Sequence, residues 1–464
     1  MSRESWGDRF ASLKFTPRKF RLAIPFAGID SPGEAARKAK WDFEAVNIIE
    51  RWHPACTYLS FVYDKEITPT DILSMNDAGD WKDADIAFFG SPCQHASRLG
   101  ASGGVLDQDR WEATKKSFEM LKTIHMRSGL KAVIIENSQD IKRNNATGNV
   151  LEHMNKQWRA YMPGWTPLHP WGIESLPLVP MRRARSYLIS FPRTFKNVLD
   201  KGDKVTKDSM PISPPDIPRP GIDIDDCLAA AWKAPRDQEL TVKFMVNRNA
   251  WRQAFAEMCQ HDEKCKVGFV DASRHPSSTF NAKMTYNYAP ALTTKNKHIW
   301  VFGRAGYWAA PPEGRWLLPS ERARLMGFPA EQFEGILSPQ HMVKALGNSI
   351  VVPVAHIVLE HVLKYVDSVF DRIEAPTEII MDPQEQQEMI RDWEREKGEK
   401  ASRKKRKMQA ETENEPEKTP VARKKRKMQA ETENDQEKTP VVRRRVRRKT
   451  TLAHTTAART TQLE

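Results

Sequence analysis

An apolar run that breaks into a glycine turn and then a helix confines this chain to few folds. Arg21-Leu22-Ala23-Ile24-Pro25-Phe26 reads as a buried strand, Ala27-Gly28-Ile29-Asp30-Ser31-Pro32-Gly33 as a turn, and Glu34-Ala35-Ala36-Arg37-Lys38-Ala39 as a helix. Strand, glycine turn and helix in that order open a nucleotide-binding βαβ unit. Ser31 is expected to cap the helix, with Pro32 at its first position. A second strand over 43–49 ends at Glu50, about twenty positions past the turn, where such units hold a ribose hydroxyl pair.

Two later strands end in residues of chemical use. Asp85-Ile86-Ala87-Phe88-Phe89 runs into Gly90-Ser91-Pro92-Cys93-Gln94-His95-Ala96-Ser97, so a proline and then a thiol sit where a strand becomes a loop. Leu130-Lys131-Ala132-Val133-Ile134-Ile135 ends in Glu136-Asn137. As parallel neighbours these strands would bring Cys93 and Glu136 to one sheet edge, where open α/β sheets bind ligands. A cysteine so placed can act as a nucleophile if its thiolate is stabilised. Further on, Arg183 and Arg185 alternate just ahead of the strand Ser186-Tyr187-Leu188-Ile189-Ser190-Phe191, and so share one face of an extended segment.

After Pro192 the character changes. Residues 211–221 form a proline-rich linker, and 222–315 mix short helices, around Leu228–Trp232 and Trp251–Cys259, with loops. The expected organisation is a flexible leader over 1–19, a catalytic domain over 20–195, a smaller irregular recognition domain over 196–315, a return to the catalytic domain over 316–372, and a disordered charged tail over 373–464. The return holds a helix stopped by Gly327 and Pro329, then an apolar helix from about Ala345 to Val366. The tail repeats itself at a period of twenty, with Arg403 through Asn414 returning as Arg423 through Asn434. The net charge of +13 belongs mostly to that tail: residues 401–464 hold 19 Lys+Arg against 9 Asp+Glu. The rest is nearly neutral, so any nucleic-acid groove there must come from local arrangement. Five scattered cysteines suit a reducing compartment rather than a disulfide framework, and Cys259, His261 and Cys265 lack a fourth ligand for zinc. No apolar run looks long enough to span a bilayer.

These blocks, in this order from about Arg21 to Val366, resemble the S-adenosylmethionine-dependent cytosine-C5 DNA methyltransferases, with 193–285 outside the match. Phe26-Ala27-Gly28 resembles the family's cofactor loop, Glu50 its ribose-binding acid and Asp71-Ile72 its adenine contact. Pro92-Cys93-Gln94 with Ser97 is similar to the nucleophile loop, and Glu136-Asn137 to the Glu-Asn pair. Arg183 and Arg185 look like the arginines of the Gln-x-Arg-x-Arg block. Ala289 through Thr294, Arg324 through Pro329, and Gly347-Asn348-Ser349-Ile350 resemble the closing blocks.

The resemblance implies a mixed, mostly parallel α/β fold and a covalent mechanism. Cys93 would add to C6 of a cytosine flipped from its duplex, because a paired base cannot be reached. Glu136 would hold the base and deliver a proton, Arg183 would bind O2, and Arg185 would steady the pocket or the thiolate. Gln94, Ser97 and Asn137 would contact substrate; Phe26, Ala27, Gly28, Glu50, Asp71, Ile72, Pro92, Asn348 and Ser349 would contact S-adenosyl-L-methionine. The final helix is expected to pack beside the first strand and close the cofactor site. Double-stranded DNA is the expected partner, with import receptors reading the basic tail and a nuclear location. A tRNA cytosine methyltransferase, or an inactive DNA- or chromatin-binding relative, would share most of these residues. Two departures from the pattern stand out: Asp30-Ser31 replaces a glycine pair and should crowd the cofactor's methionine end, with Gly33 close by, and Met181 stands in place of Gln.

Overall fold

The computed structural model describes residues 15–75, 81–91, 108–142, 144–145, 148–192, 223–228, 242–271, 275–277, 283–294 and 299–370. Strands β1 (Phe20–Pro25), β2 (Phe43–Ile49), β3 (Ile86–Gly90) and β4 (Ala132–Ser138) run parallel in the order β2-β1-β3-β4. A two-residue hairpin follows, β5 (Asn144–Asn145) with β6 (Gly148–Asn149). Then β7 (His169–Glu174) and β8 (Ala184–Ser190) extend the sheet antiparallel, in the order β4-β8-β7. The fold is thus mixed α/β around a mostly parallel six-stranded sheet.

The central strands read as unbroken apolar runs because both faces of the sheet are covered. Leu22, Ile24, Ile86, Phe88 and Ile134 face one buried cluster, shared with α1 (Ser31–Lys38) and α2 (His53–Tyr63). Ala23, Ala87, Phe89, Val133 and Ile135 face the other, shared with α3 (Gln108–Ser128) and α4 (Val150–Tyr161). From β1 the chain steps to β2 on one side and then to β3 on the other. The crevice at that reversal lies beyond the strands' carboxyl ends, where this architecture takes its ligands.

The region read from sequence as short helices and loops holds more regular structure. After α5 (Ile224–Cys227) comes α6 (Val242–His261), and β9 (Val267–Asp271), β10 (Thr285–Tyr286), β11 (Ile299–Gly303) and β12 (Arg315–Trp316) form an antiparallel sheet, β10-β9-β11-β12. Val267, Phe269, Ile299 and Val301 on one face join the large core cluster. Val270, Trp300 and Phe302 on the other pack with Trp251 and Phe255 of α6. With both faces buried, the strands lose the polar alternation that would have marked them. Gly268 is required where α6 crosses β9, since a Cβ there would lie 2.6 Å from the Phe255 ring.

Three helices close the chain's return: α7 (Pro319–Met326), α8 (Pro339–Asn348) and α9 (Val352–Phe370). The single apolar helix expected from about Ala345 is broken at Ser349-Ile350-Val351, and α9 packs against α1. Trp41 and His356 stack at that contact, ring centroids 4.9 Å apart. By composition the stretch Pro339–Ser368 is apolar enough to pass for a membrane span, against the sequence expectation, but 78% of its apolar window is buried in the fold. Its apolarity is core packing.

Candidate active site

The cofactor-loop residues gather at the carboxyl ends of β1 and β2. Phe26 takes φ +55° and Gly28 φ +56°, which turns the chain sharply out of β1. That conformation is rare for a side chain as bulky as Phe and is held against cost only where surroundings fix it. Here the Phe26 ring lies on Phe89 of β3, centroids 6.0 Å apart. Glu50 braces the loop from β2: Oε2 accepts from Gly28 N and Oε1 from Trp52 N, each at 2.8 Å. A carboxylate presents about four lone-pair sites, so Glu50 can brace its own backbone and still accept from a diol. That pair of acceptor oxygens fits the ribose diol of S-adenosylmethionine. Ala27 is buried beneath the turn.

Asp71 stands close by, since Thr70 N donates to Glu50 O at 2.8 Å. Its Oδ1 caps a single 3₁₀ turn, Ile72–Ser74, by accepting from Leu73 N at 3.0 Å, and its Oδ2 lies 3.6 Å from Arg51. Ile72 is buried. At the end of α8, Asn348 is exposed, while Ser349 is buried and its hydroxyl donates back to Ala345 O.

The two residues that depart from the glycine pair do not project into the turn's free space. Asp30, not Ser31, caps α1: it adopts φ +52° and accepts from Gly33 N at 2.8 Å. Fully buried, its carboxylate also accepts from the Tyr63 hydroxyl and pairs with Arg37 at 3.3 Å. Burial pushes the Asp30 carboxyl up, and Arg37 and the hydrogen bonds oppose that shift. Gly33 makes the room, since a Cβ there would run into the Asp30 carboxylate and lie 2.5 Å from the Tyr63 oxygen. Ser31 donates to Ile350 O at 2.8 Å and so joins α1 to the break between α8 and α9. Met181 sits fully buried in the apolar core cluster.

The base-pocket residues meet at the ends of β3, β4 and β8. Gly90 pairs with Glu136 across the parallel ladder, and Ser91 N donates to Glu136 O at 3.1 Å. A Cβ at Gly90 would sit 3.2 Å from Glu136 Oε2, so the glycine gives the carboxylate its place. Glu136 is 7% exposed, and Arg185 Nε lies 3.0 Å from its Oε1. Burial raises the Glu136 carboxyl above the usual range, opposed first by Arg185 and then by Arg183. Buried Tyr187, also near Glu136, is pushed up by burial.

Asn137 is fully buried, donates to Ser91 Oγ at 2.6 Å and accepts from Ser138 N. It fixes Ser91, the residue just before Pro92. Ser91 was a role missed in the sequence; a small polar residue between a strand and a proline was its only signal. Pro92, Cys93, Gln94 and Ser97 lie outside the described residues. Arg183 differs from Arg185. Its guanidinium donates to the carbonyls of Leu292, Gly347 (3.3 Å) and Ser349 (2.7 Å). Among the described residues no cluster of three His, Cys, Asp or Glu side chains is arranged to hold a metal.

The site thus sets Glu50, a carboxylate braced just beyond the end of β2, and Glu136 on β4, a buried carboxyl paired with Arg185, three strands along the same mostly parallel sheet. The sequence pattern of the C-5 cytosine-specific DNA methylases matches residues 25–364, and the chain belongs to that family of cytosine-C5 methyltransferases. Solved structures similar to it include the Dnmt2 methyltransferase of S. pombe, at 18% identity over 75% of this chain and 99% of that one with a TM-score of 0.45. The methyltransferase EhMeth of Entamoeba histolytica is similar at 12% identity over 75% and 99%, with a TM-score of 0.46. A mutant of Spodoptera frugiperda DNMT2 is similar at 15% identity over 74% and 99%, with a TM-score of 0.47. No curated protein matches the chain.

Proposed function

We propose that this protein methylates C5 of cytosine in DNA, with S-adenosyl-L-methionine as methyl donor and Cys93 as nucleophile. The observation that carries the reading is Glu136: a buried carboxyl, raised by burial, beside an arginine at the strand edge from which the Pro92-Cys93 loop leaves. Bound S-adenosylmethionine supplies a methyl group on a sulfonium. Cytosine C5 is a poor nucleophile, so the Cys93 thiolate adds to C6 while protonated Glu136 hydrogen-bonds N3 and the exocyclic amine and passes a proton as charge builds there. The enamine so formed would take the methyl at C5, with S-adenosylhomocysteine leaving as the neutral thioether. Loss of the C5 proton to a base then expels the thiolate from C6, and N3 returns its proton to Glu136, which restores the aromatic ring and the cysteine thiolate.

The two arginines divide the remaining work differently from the sequence expectation. Arg183 lies at the backbone of the closing segment, so Arg185, beside Glu136, is the better donor to the cytosine O2. The base must leave its stack to reach this pocket. Residues 196–315 are proposed as the reader of the duplex. The basic clusters of the tail are proposed to bind phosphates or import receptors and to give a nuclear location.

The family's description and the proline linker ahead of α5 favour DNA over tRNA. Labelled S-adenosylmethionine with either mixed duplex DNA or tRNA, followed by mapping of the methylated base, tests the reading. Label in tRNA alone would replace the DNA assignment, and label in neither would remove the activity.

A further inference from the structure

The closing segment Gly347–Ile350 is held from two sides by residues far apart in sequence. On the cofactor side, Ser31 Oγ at the start of α1 donates to Ile350 O. On the base-pocket side, Arg183 donates to the carbonyls of Gly347 and Ser349. The same guanidinium donates to Leu292 O, in the segment that follows β10 and precedes β11 of the small antiparallel sheet. That segment is itself zipped to the run before Arg183, through Ala289 N to Pro180 O at 2.8 Å and Arg182 N to Ala289 O at 3.0 Å. There is little slack where the pieces meet. A Cβ on Gly347 would lie 2.5 Å from Thr294 N and 2.6 Å from Thr293 C. Arg183 is 4% exposed, and its own amide is fixed by Glu174 Oε1 at 2.7 Å and Ser175 Oγ at 2.9 Å.

We propose that Arg183 is a positioning residue, a clasp that couples occupancy of the cofactor crevice to the placement of segment 289–294 and, through it, to nucleic-acid binding. The physical basis is the planar guanidinium, which offers donors in fixed directions to carbonyls of two separate segments at once. A shift of Ser349 must therefore be felt at Leu292. A lysine has three donors but on a single nitrogen with no fixed plane, so it cannot replace the separate Nη1 and Nη2 that reach the two segments. The proposal rests on the reading above that the crevice takes S-adenosylmethionine and the protein takes DNA.

The test uses the full chain, wild type and Arg183→Lys. Calorimetry gives the affinity for S-adenosylhomocysteine with and without a mixed-sequence duplex. The pH profile of methyl transfer is recorded in parallel. In wild type the duplex should change that affinity by at least about fivefold, and in the lysine variant by less than about twofold. The alkaline limb set by Glu136 should stay where it is. A variant that keeps the coupling, or that moves the alkaline limb, overturns the clasp and returns Arg183 to the base pocket. Wild type that binds both ligands without coupling overturns the clasp alone. Wild type that binds no S-adenosylhomocysteine overturns the functional reading and the clasp with it. Should the variant fold poorly, hydrogen exchange on wild type decides: S-adenosylhomocysteine alone should slow the amides over 291–294, and unchanged exchange there refutes the proposal.

Discussion

Replacing Glu136 by glutamine should separate its chemistry from its place in the fold. The substitution keeps the shape and a hydrogen-bonding head but removes the transferable proton. General acid catalysis of this kind is worth about 10²–10⁴ in rate, or about 2.7–5.4 kcal/mol at 1.36 kcal/mol per tenfold. Glu136→Gln should therefore lower kcat by about two to four orders of magnitude, with little change in KM for the nucleic acid. Wild-type rate should fall at alkaline pH as Glu136, whose carboxyl burial has raised, loses its proton. The variant should lack that limb. Stability should move the other way. Because the folded carboxyl binds its proton more tightly than the unfolded one, stability falls as pH rises from the ordinary glutamate range through the raised value. Glutamine carries no such linkage. Urea denaturation at several pH values should then show the variant gaining on wild type as pH rises, despite the lost attraction to Arg185. A variant within tenfold of wild-type kcat, one that keeps the alkaline limb, or one that loses stability relative to wild type at high pH would refute the reasoning.

Cys93→Ser should abolish methyl transfer while cofactor binding persists, and only wild type should form a denaturant-stable adduct on DNA carrying 5-fluorocytosine; equal trapping by the serine variant would exclude Cys93 as nucleophile. Asn137→Ala leaves the buried Ser91 hydroxyl and Ser138 amide without that partner, at about 1–3 kcal/mol for each group stranded. Denaturation should show that loss, and a change below about 0.5 kcal/mol, within the ordinary range of surface substitutions, would argue that the β3 exit is held by something else. Deleting 401–464 should leave methyl transfer intact, move a tagged protein from nucleus to cytosol and flatten the salt dependence of DNA binding, since the salt slope drops by about one for every phosphate the tail no longer neutralises. A truncated protein that stays nuclear with an unchanged slope would leave the tail as neither import signal nor DNA anchor.

What the sequence reveals here depends on how local the deciding interaction is. The β1 strand, its glycine turn and α1 are legible because their signals lie close together along the chain. The courses of β3 and β4 are legible because strands covered on both faces are apolar runs, but the end of β4 is not: it continues through Glu136 and Asn137 to Ser138, polar residues held in the sheet by pairing with β8. The small antiparallel sheet is not, since Val267–Asp271 and Ile299–Gly303 are short apolar runs without alternation and pair only through tertiary structure. The division between Arg183 and Arg185 is also hidden. Both are arginines on one extended segment, and what distinguishes them is a set of carbonyl partners 109, 164 and 166 residues away.

Asp30 and Ser31 carry the same lesson in reverse. Read in line, two side chains in place of glycines subtract room from a cofactor loop. In three dimensions the left-handed backbone at Asp30 turns its carboxylate under α1, where Gly33, Tyr63 and Arg37 receive it. Gly33 lies within the turn as read from the sequence, but Arg37 comes from the last turn of α1 and Tyr63 from the end of α2, and neither is visible as a partner from the loop. Ser31 then reaches Ile350, 319 residues on. A glycine at Asp30 would relieve the αL backbone but strip the cap from α1 and a carboxylate from Arg37, which keeps its pairing with Glu34. The departure from the family pattern thus exchanges backbone freedom for two cross-links, one from α1 to α2 and one from α1 to the closing segment. Both cross-links tie the start of α1 to residues outside the loop, so the loop's course is fixed by partners distant in sequence.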